Sequence, residues 1–124
     1  MRRLVFPLAA IALAAACSDS SGVDGKLVIN TVQGADWTKY CNWYNAQVAG
    51  IIGKSCAGGA LVPNPQRDCQ APNPTTTCTA TVSQVEDCVH KYKDNPCEGV
   101  TKIAATCNNF PPSCNVLLVG SNLN

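Results

Sequence analysis

The chain has a single histidine, His90, and none of its cysteines stands in a C-x-x-C pair. Zinc sites draw on Cys and His at such short spacings, so neither a metal centre nor another cofactor is expected. Imidazole catalysis needs a nucleophile beside the ring and a group that orients it. His90 lies in EDCVHKY with no such partner set, and the motifs G-x-S-x-G and H-E-x-x-H are absent. Glu86 and Asp87 are adjacent, so on a helix they point about 100° apart and do not converge as an acid/base pair. An enzyme is therefore not expected, and His90 reads as an exposed helix residue. Charged residues make up only 14% of the chain, with no run of either sign, so nucleic acid has no electrostatic footprint here. Long apolar runs are missing too. Leu4 to Ala16 is 13 residues, short of the ~20 that a membrane span needs.

That run does have the layout of a secretory signal. Arg2 and Arg3 precede it, Leu4 to Leu13 is its apolar centre, and Ala14-Ala15-Ala16 closes it against Cys17. The ending resembles the lipobox of bacterial lipoproteins. The resemblance implies cleavage before Cys17 and acylation of its sulfur, which would hold the protein to a membrane through the acyl chains. One acyl chain gives marginal binding and stable anchoring takes two or more. In such lipoproteins Asp after the cysteine signals inner-membrane retention. Ser18 stands there, so the cell envelope, with anchoring in the outer membrane, is the expected location. Residues 1–16 then form the signal peptide, 17–35 the lipidated cysteine and a flexible SDSSGVDG-type tether, and 36–124 the domain. A plain secretory signal cut after Ala16 is the alternative.

Removing residues 1–16 takes away Arg2 and Arg3, leaving seven Lys+Arg against eight Asp+Glu. Beside Cys17 the chain keeps Cys41, Cys56, Cys69, Cys78, Cys88, Cys97, Cys107 and Cys114. An even number in a small exported chain reads as a disulfide framework. Each bridge is worth ~2–4 kcal/mol, so four form a large share of a typical ~5–15 kcal/mol stability.

Along the chain, KLVINTV (26–32) is β-branched and reads as a short strand. Asp36 is placed to cap a helix over 37–52, since Trp37, Tyr40, Cys41, Tyr44, Val48, Ile51 and Ile52 share a stripe. Residues 57–77 hold four prolines with Gly and Asn, a loop that Cys69 would staple. Thr81-x-x-Gln84 is a capping box. It opens a helix over 82–92 with Val82, Val85, Cys88, Val89 and Tyr92 inward. Asn95-Pro96 starts a third helix, with Cys97, Val100, Ile103, Ala104 and Cys107 as its stripe. Val116 to Val119 is a closing strand or flap. In the antiparallel hairpin of helices two and three, Cys88 and Cys97 are expected to pair. Trp43 falls off the stripe of helix one. It is either an exposed binding surface or a residue covered by the Pro-rich loop.

The spacings Cys78-x9-Cys88 and Cys97-x9-Cys107 resemble the twin Cx9C helical hairpin, which implies a Cys78–Cys107 bridge. More widely, YC (40–41), TVSQVEDC (81–88), NPC (95–97) and PPSC (111–114) resemble small cysteine-rich lipoproteins of large-genome Gram-negative soil bacteria. That group brings no activity with it. The expected fold is mainly α: a small disulfide-stapled three-helix domain with a Pro/Gly-rich loop. The expected function is a non-enzymatic interaction or structural module of the envelope, with an envelope or extracellular protein as partner. A carrier of an apolar ligand or lipid is the alternative.

Overall fold

In the computed structural model, which describes residues 19–107 and 110–118, Thr81 begins a helix just as its sequence proposes. Its Oγ1 accepts the Gln84 N–H at 3.4 Å, and Gln84 Oε1 accepts the Thr81 N–H at 2.9 Å. The helix, α2, runs Val82–Asp94. A helix start leaves four N–H groups without intrahelical partners. Here Val82 N–H goes to the Leu27 carbonyl and Ser83 N–H to the Gly25 carbonyl. Gln84 N–H goes to Thr81. The backbone of residues 25–29 thus completes what the capping box begins. Gly25 suits the close approach, because a Cβ there would sit 3.1 Å from Ser83 Cβ, tight enough that Ser83 would have to shift.

Helix α1 spans Gly34–Val48 and continues as a 3-10 turn, Ala49–Ile51. It begins earlier than Asp36 suggests. Gln33 is the N-cap in extended backbone, with no side-chain cap bond, and Asp36 lies inside the first turn, where its charge suits the helix dipole. The third helix is shorter than its stripe predicts. Gly99, at φ 80° and ψ 156°, splits it into a 3-10 turn, Pro96–Glu98, and a helix α3, Val100–Thr106. The fold is therefore mainly α with three helices. Among the described residues β pairing is limited to isolated bridges, Val28 with Thr81 and Ser55 with Leu61. KLVINTV is not a strand: Ile29–Thr31 form a 3-10 turn, and Ile29 and Val32 are buried. The closing run is the end of a 3-10 helix, Pro112–Leu117, with Leu117 and Leu118 fully buried; Val119 lies outside the described residues.

Helices α1 and α2 run parallel. Trp43 meets His90 at 5.6 Å between ring centroids, and Lys93 Nζ donates to Gln47 Oε1 at 2.9 Å, so contacts advance along both helices together. A parallel pair demands a return connection, and residues 63–75 supply it. Asn45 holds Arg67, Cys41 is bonded to Cys69, and Trp37 Nε1 donates to the Ala71 carbonyl. Each rung moves four residues along the helix and two along the strap. Four helical residues rise about 6 Å, and two extended residues span about 6.2–6.6 Å, so the rungs stay in step. Asn73 ends the ladder by donating to the Ile29 and Val32 carbonyls at 2.7 and 3.1 Å.

The segment expected to be a flexible tether is a second strap, antiparallel to α2. Asp19 O lies 2.7 Å from His90 Nε2, and Ser21 N–H donates to Glu86 Oε1 at 2.8 Å. Gly25 and Leu27 then meet Ser83 and Val82. Val23 is buried in the core cluster. The polar face of α2 offers carboxylate and imidazole partners to this Ser/Gly-rich backbone, and that is why it packs.

The four bridges are Cys41–Cys69, Cys56–Cys97, Cys78–Cys114 and Cys88–Cys107. The expected Cys88–Cys97 pair does not form. Cys97 sits inside the α2–α3 corner, so the chain returning along α2 brings Cys107, not Cys97, back to Cys88. The implied Cys78–Cys107 pair fails for the same reason: Cys78 precedes α2 and meets Cys114 of the terminal 3-10 helix.

Candidate functional site

Trp43 is buried, at 7% exposure, which corrects the expectation of an exposed binding surface. The Pro-rich strap takes Trp37, while Trp43 packs edge-on against His90 and tilts against Tyr40, 5.7 Å away. Helix α1 is covered on two flanks, by the strap and by α2, so residues off its main stripe (Trp43, Gln47) are buried as well. His90 is half-buried, not a free surface residue. A carbonyl can only accept, so its bond to Asp19 calls for the Nε2–H tautomer. Asp19, Ser21, Trp43, Glu86 and His90 together form one closed joint where the N-terminal strap meets the helix pair. Cys17 lies outside the described residues, two positions before Asp19.

Behind this joint lies a buried polar group. The Arg67 guanidinium carbon stands 5.3 Å from the Tyr44 ring centroid, a cation–π geometry. Burial depresses the Arg67 pKa, opposed by Tyr44 and Tyr40. Burial pushes the Tyr40 and Tyr44 phenols well above their ordinary value, with Arg67 pulling the other way. Tyr44 donates to the Leu118 carbonyl at 3.0 Å. Tyr40 Oη is buried with no hydrogen-bond partner among the described residues. These groups are sealed in the core and present no reactive atom to solvent.

The far end of the molecule has different chemistry. After α1 the chain forms a tight turn over residues 52–62, with Gly53 N–H on the Val62 carbonyl, Val62 N–H on Lys54 and Cys56 N–H on Ala60. Leu61 is 64% exposed and Ile52 39%. The Cys56–Cys97 bridge joins this turn to the α2–α3 corner, with Cys97 exposed. Elsewhere, a shallow cleft of about 270 Å³ lies between the start of α1 and the strap, lined by Gln33, Trp37, Thr38, Gln70 and Pro72 among others. It has no ionisable side chain, and its indole N–H is already bonded to Ala71. A smaller space of about 50 Å³ is lined by Gln84, Asp87, Lys91 and Cys107. No group of three or more His, Cys, Asp or Glu among the described residues could hold a metal, and no helix among them is long and apolar enough to cross a membrane.

The eight domain cysteines are all bridged, so none offers a thiolate. Glu86, Asn45 and Asn73, which no sequence motif singles out, each hold a strap. For the two asparagines the sequence carries a general pointer to such partners but not their identity. A segment rich in proline lacks N–H donors of its own, so its carbonyls and remaining amides need carboxamide partners from neighbouring elements.

The fold and joint define a class: a small, mainly α, disulfide-stapled domain with two extended straps. No protein-family model, curated protein or solved structure matches the chain.

Proposed function

We propose that the chain is a lipid-anchored protein of the bacterial cell envelope, held by acyl groups on Cys17, and that its domain serves as a non-enzymatic interaction or structural module. The lipobox-like AAAC at 14–17 supports the anchor. One observation carries the rest: Asp19, only two residues after Cys17, is already packed, in a strap that His90 and Glu86 hold. A domain clamped this near its anchor is suited to sitting directly on a membrane, not reaching away from it. Its buried tyrosines, its histidine and its eight bridged cysteines all sit in the packing of the fold, which fits a scaffold better than a catalyst. An apolar-ligand carrier would need interior space, and the centre is filled by Tyr40, Tyr44, Val85, Val89 and Leu117.

The test is the intact mass of the detergent-extracted protein, with and without reduction and alkylation. A chain that starts at Cys17, bears acyl groups and gains eight alkyl groups only after reduction is the expected result. A mass without lipid would make it a soluble secreted protein and end the anchoring proposal.

A further inference from the structure

We infer that the turn over residues 52–62 is a second membrane contact, inserting Leu61 and its small apolar neighbours into the interface of the same bilayer that holds Cys17; this rests on the lipid-anchor proposal above. The direction of the N-terminal strap is the first ground. Leu27 lies at the start of α2 and Asp19 at His90, so the chain traced backwards runs toward the C-terminal end of that helix. His90 is four residues, about 6 Å, from the last residue of α2. The covalent chain holds Cys17 within about 7 Å of Asp19. The anchor therefore leaves the domain near the end where α1 and α2, being parallel, both terminate.

The 52–62 turn sits at that same end. It follows α1 directly, and Cys56 fastens it to Cys97, three residues past α2. Its chemistry is that of an interfacial insertion. Residues 57–63 read AGGALVP, without one polar side chain. Leu61 is the most exposed large apolar side chain described, and Ile52 stands exposed at the base of the turn. Part of the backbone is already paired within the turn, through the Gly53, Cys56, Gly59 and Val62 N–H groups, which lowers the cost of leaving water. Lys54 is exposed at the root, placed to keep its ammonium among head groups while the tip goes deeper. An acyl anchor plus an apolar wedge gives two points of attachment. Two points fix the domain's orientation, which one does not.

The test uses the full chain expressed with its own signal, extracted and reconstituted into phosphatidylethanolamine/phosphatidylglycerol vesicles with or without brominated acyl chains. Two variants, Leu61→Trp and Ala60→Trp, report on the turn. A third, Thr77→Trp, reports on the exposed segment just ahead of α2, at the opposite end. The unsubstituted protein gives the background from Trp37 and Trp43. The added emission of Leu61→Trp and Ala60→Trp is expected to be lost in brominated vesicles, while that of Thr77→Trp is retained. If the acylated protein keeps the turn emission in brominated vesicles, the turn is not in the bilayer and the inference is overturned with the anchor intact. Turn emission shielded from both bromine and aqueous iodide would indicate a second copy or another protein on this face, which also overturns it. An unacylated mass removes the anchor itself, and the inference with it.

Discussion

Asn45 grips both backbone polar groups of Arg67. The carboxamide Nδ2 donates to the Arg67 carbonyl at 2.9 Å, and Oδ1 accepts the Arg67 N–H at 2.9 Å. Nδ2 also lies 3.3 Å from Cys69 Sγ. One exposed-looking helix residue thus fixes the strap that covers a whole flank of α1. Removing it by Asn45→Ala leaves two backbone groups unpaired, at about 1–3 kcal/mol each. Asn45→Asp retains the acceptor and loses the donor. Equilibrium denaturation is expected to rank the wild type above Asn45→Asp, and Asn45→Asp above Asn45→Ala. Equal stability of all three would show that the strap is held by Cys41–Cys69 alone.

Glu86 performs the same task for the N-terminal strap. Its carboxylate takes the Ser21 N–H at 2.8 Å and is approached by Ser20 Oγ at 3.4 Å. Glu86→Ala is expected to cost about 1.5–3 kcal/mol, the range for a bond to a charged group. Hydrogen exchange would show the loss locally, as faster exchange at Ser21 and Val23 with the centre of α2 still protected. Unchanged exchange at those amides would mean that the strap does not depend on this carboxylate.

Gly99 separates the corner from α3 with a backbone conformation that is essentially confined to glycine. A Cβ there would meet nothing within 4 Å, so the effect of Gly99→Ala is purely one of backbone strain. The expected cost is about 1–3 kcal/mol, read from thermal or denaturant unfolding. A neutral result would mean that the corner readily adopts another path.

The bridges differ in access. Cys88 and Cys114 are fully buried, whereas Cys97 is exposed. Accessible bridges reduce first. Under limiting reductant, alkylation mapped by mass is expected to mark Cys56 and Cys97 ahead of the other six. The paired Cys56→Ser, Cys97→Ser variant should fold at a cost of about 2–4 kcal/mol. First labelling at Cys88 or Cys107 would contradict the packing of α3 on α2.

Alkaline stability follows from the phenols. Burial raises Tyr40, Tyr44 and Tyr92 above the ordinary value, so the folded state binds these protons more tightly than the unfolded chain does. Their contribution is complete below the ordinary phenol pKa of about 10 and is lost as pH climbs past it toward the folded values. Tyr40→Phe also removes a buried hydroxyl that has no partner among the described residues. It is expected to stabilise the protein by about 1 kcal/mol at neutral pH and to make the alkaline decline shallower. A destabilised variant with an unchanged decline would show that the hydroxyl is satisfied after all.

Much of the helical skeleton was legible from the sequence because its signals are local. Thr81 and Gln84 cap α2 as their spacing implies, and Asn95-Pro96 turns the chain out of it. The straps were not legible, because they have no period. Their contacts run from backbone groups to single carboxamides and carboxylates on a helix, and neither propensity nor a hydrophobic stripe encodes such pairs. The bridge pattern escaped for a related reason. Cys56 and Cys97 are 41 residues apart, and only the parallel course of α1 and α2 brings them to one end. Of the two readings open for Trp43, an exposed surface or a covered residue, burial is the one found, since α1 is covered on two flanks.

On the proposed export route, the N-terminal strap also bears on the order of events. The partner of Ser21 lies 65 residues later in the chain, and that of Asp19 lies 71 later. A polypeptide delivered N-terminus first cannot close this joint until α2 has emerged. Through most of such a delivery Asp19 and Ser21 would lack their docking surface. Once Glu86 and His90 arrive, the same residues are locked down. On that route the first part of the domain to be delivered is among the last to be secured.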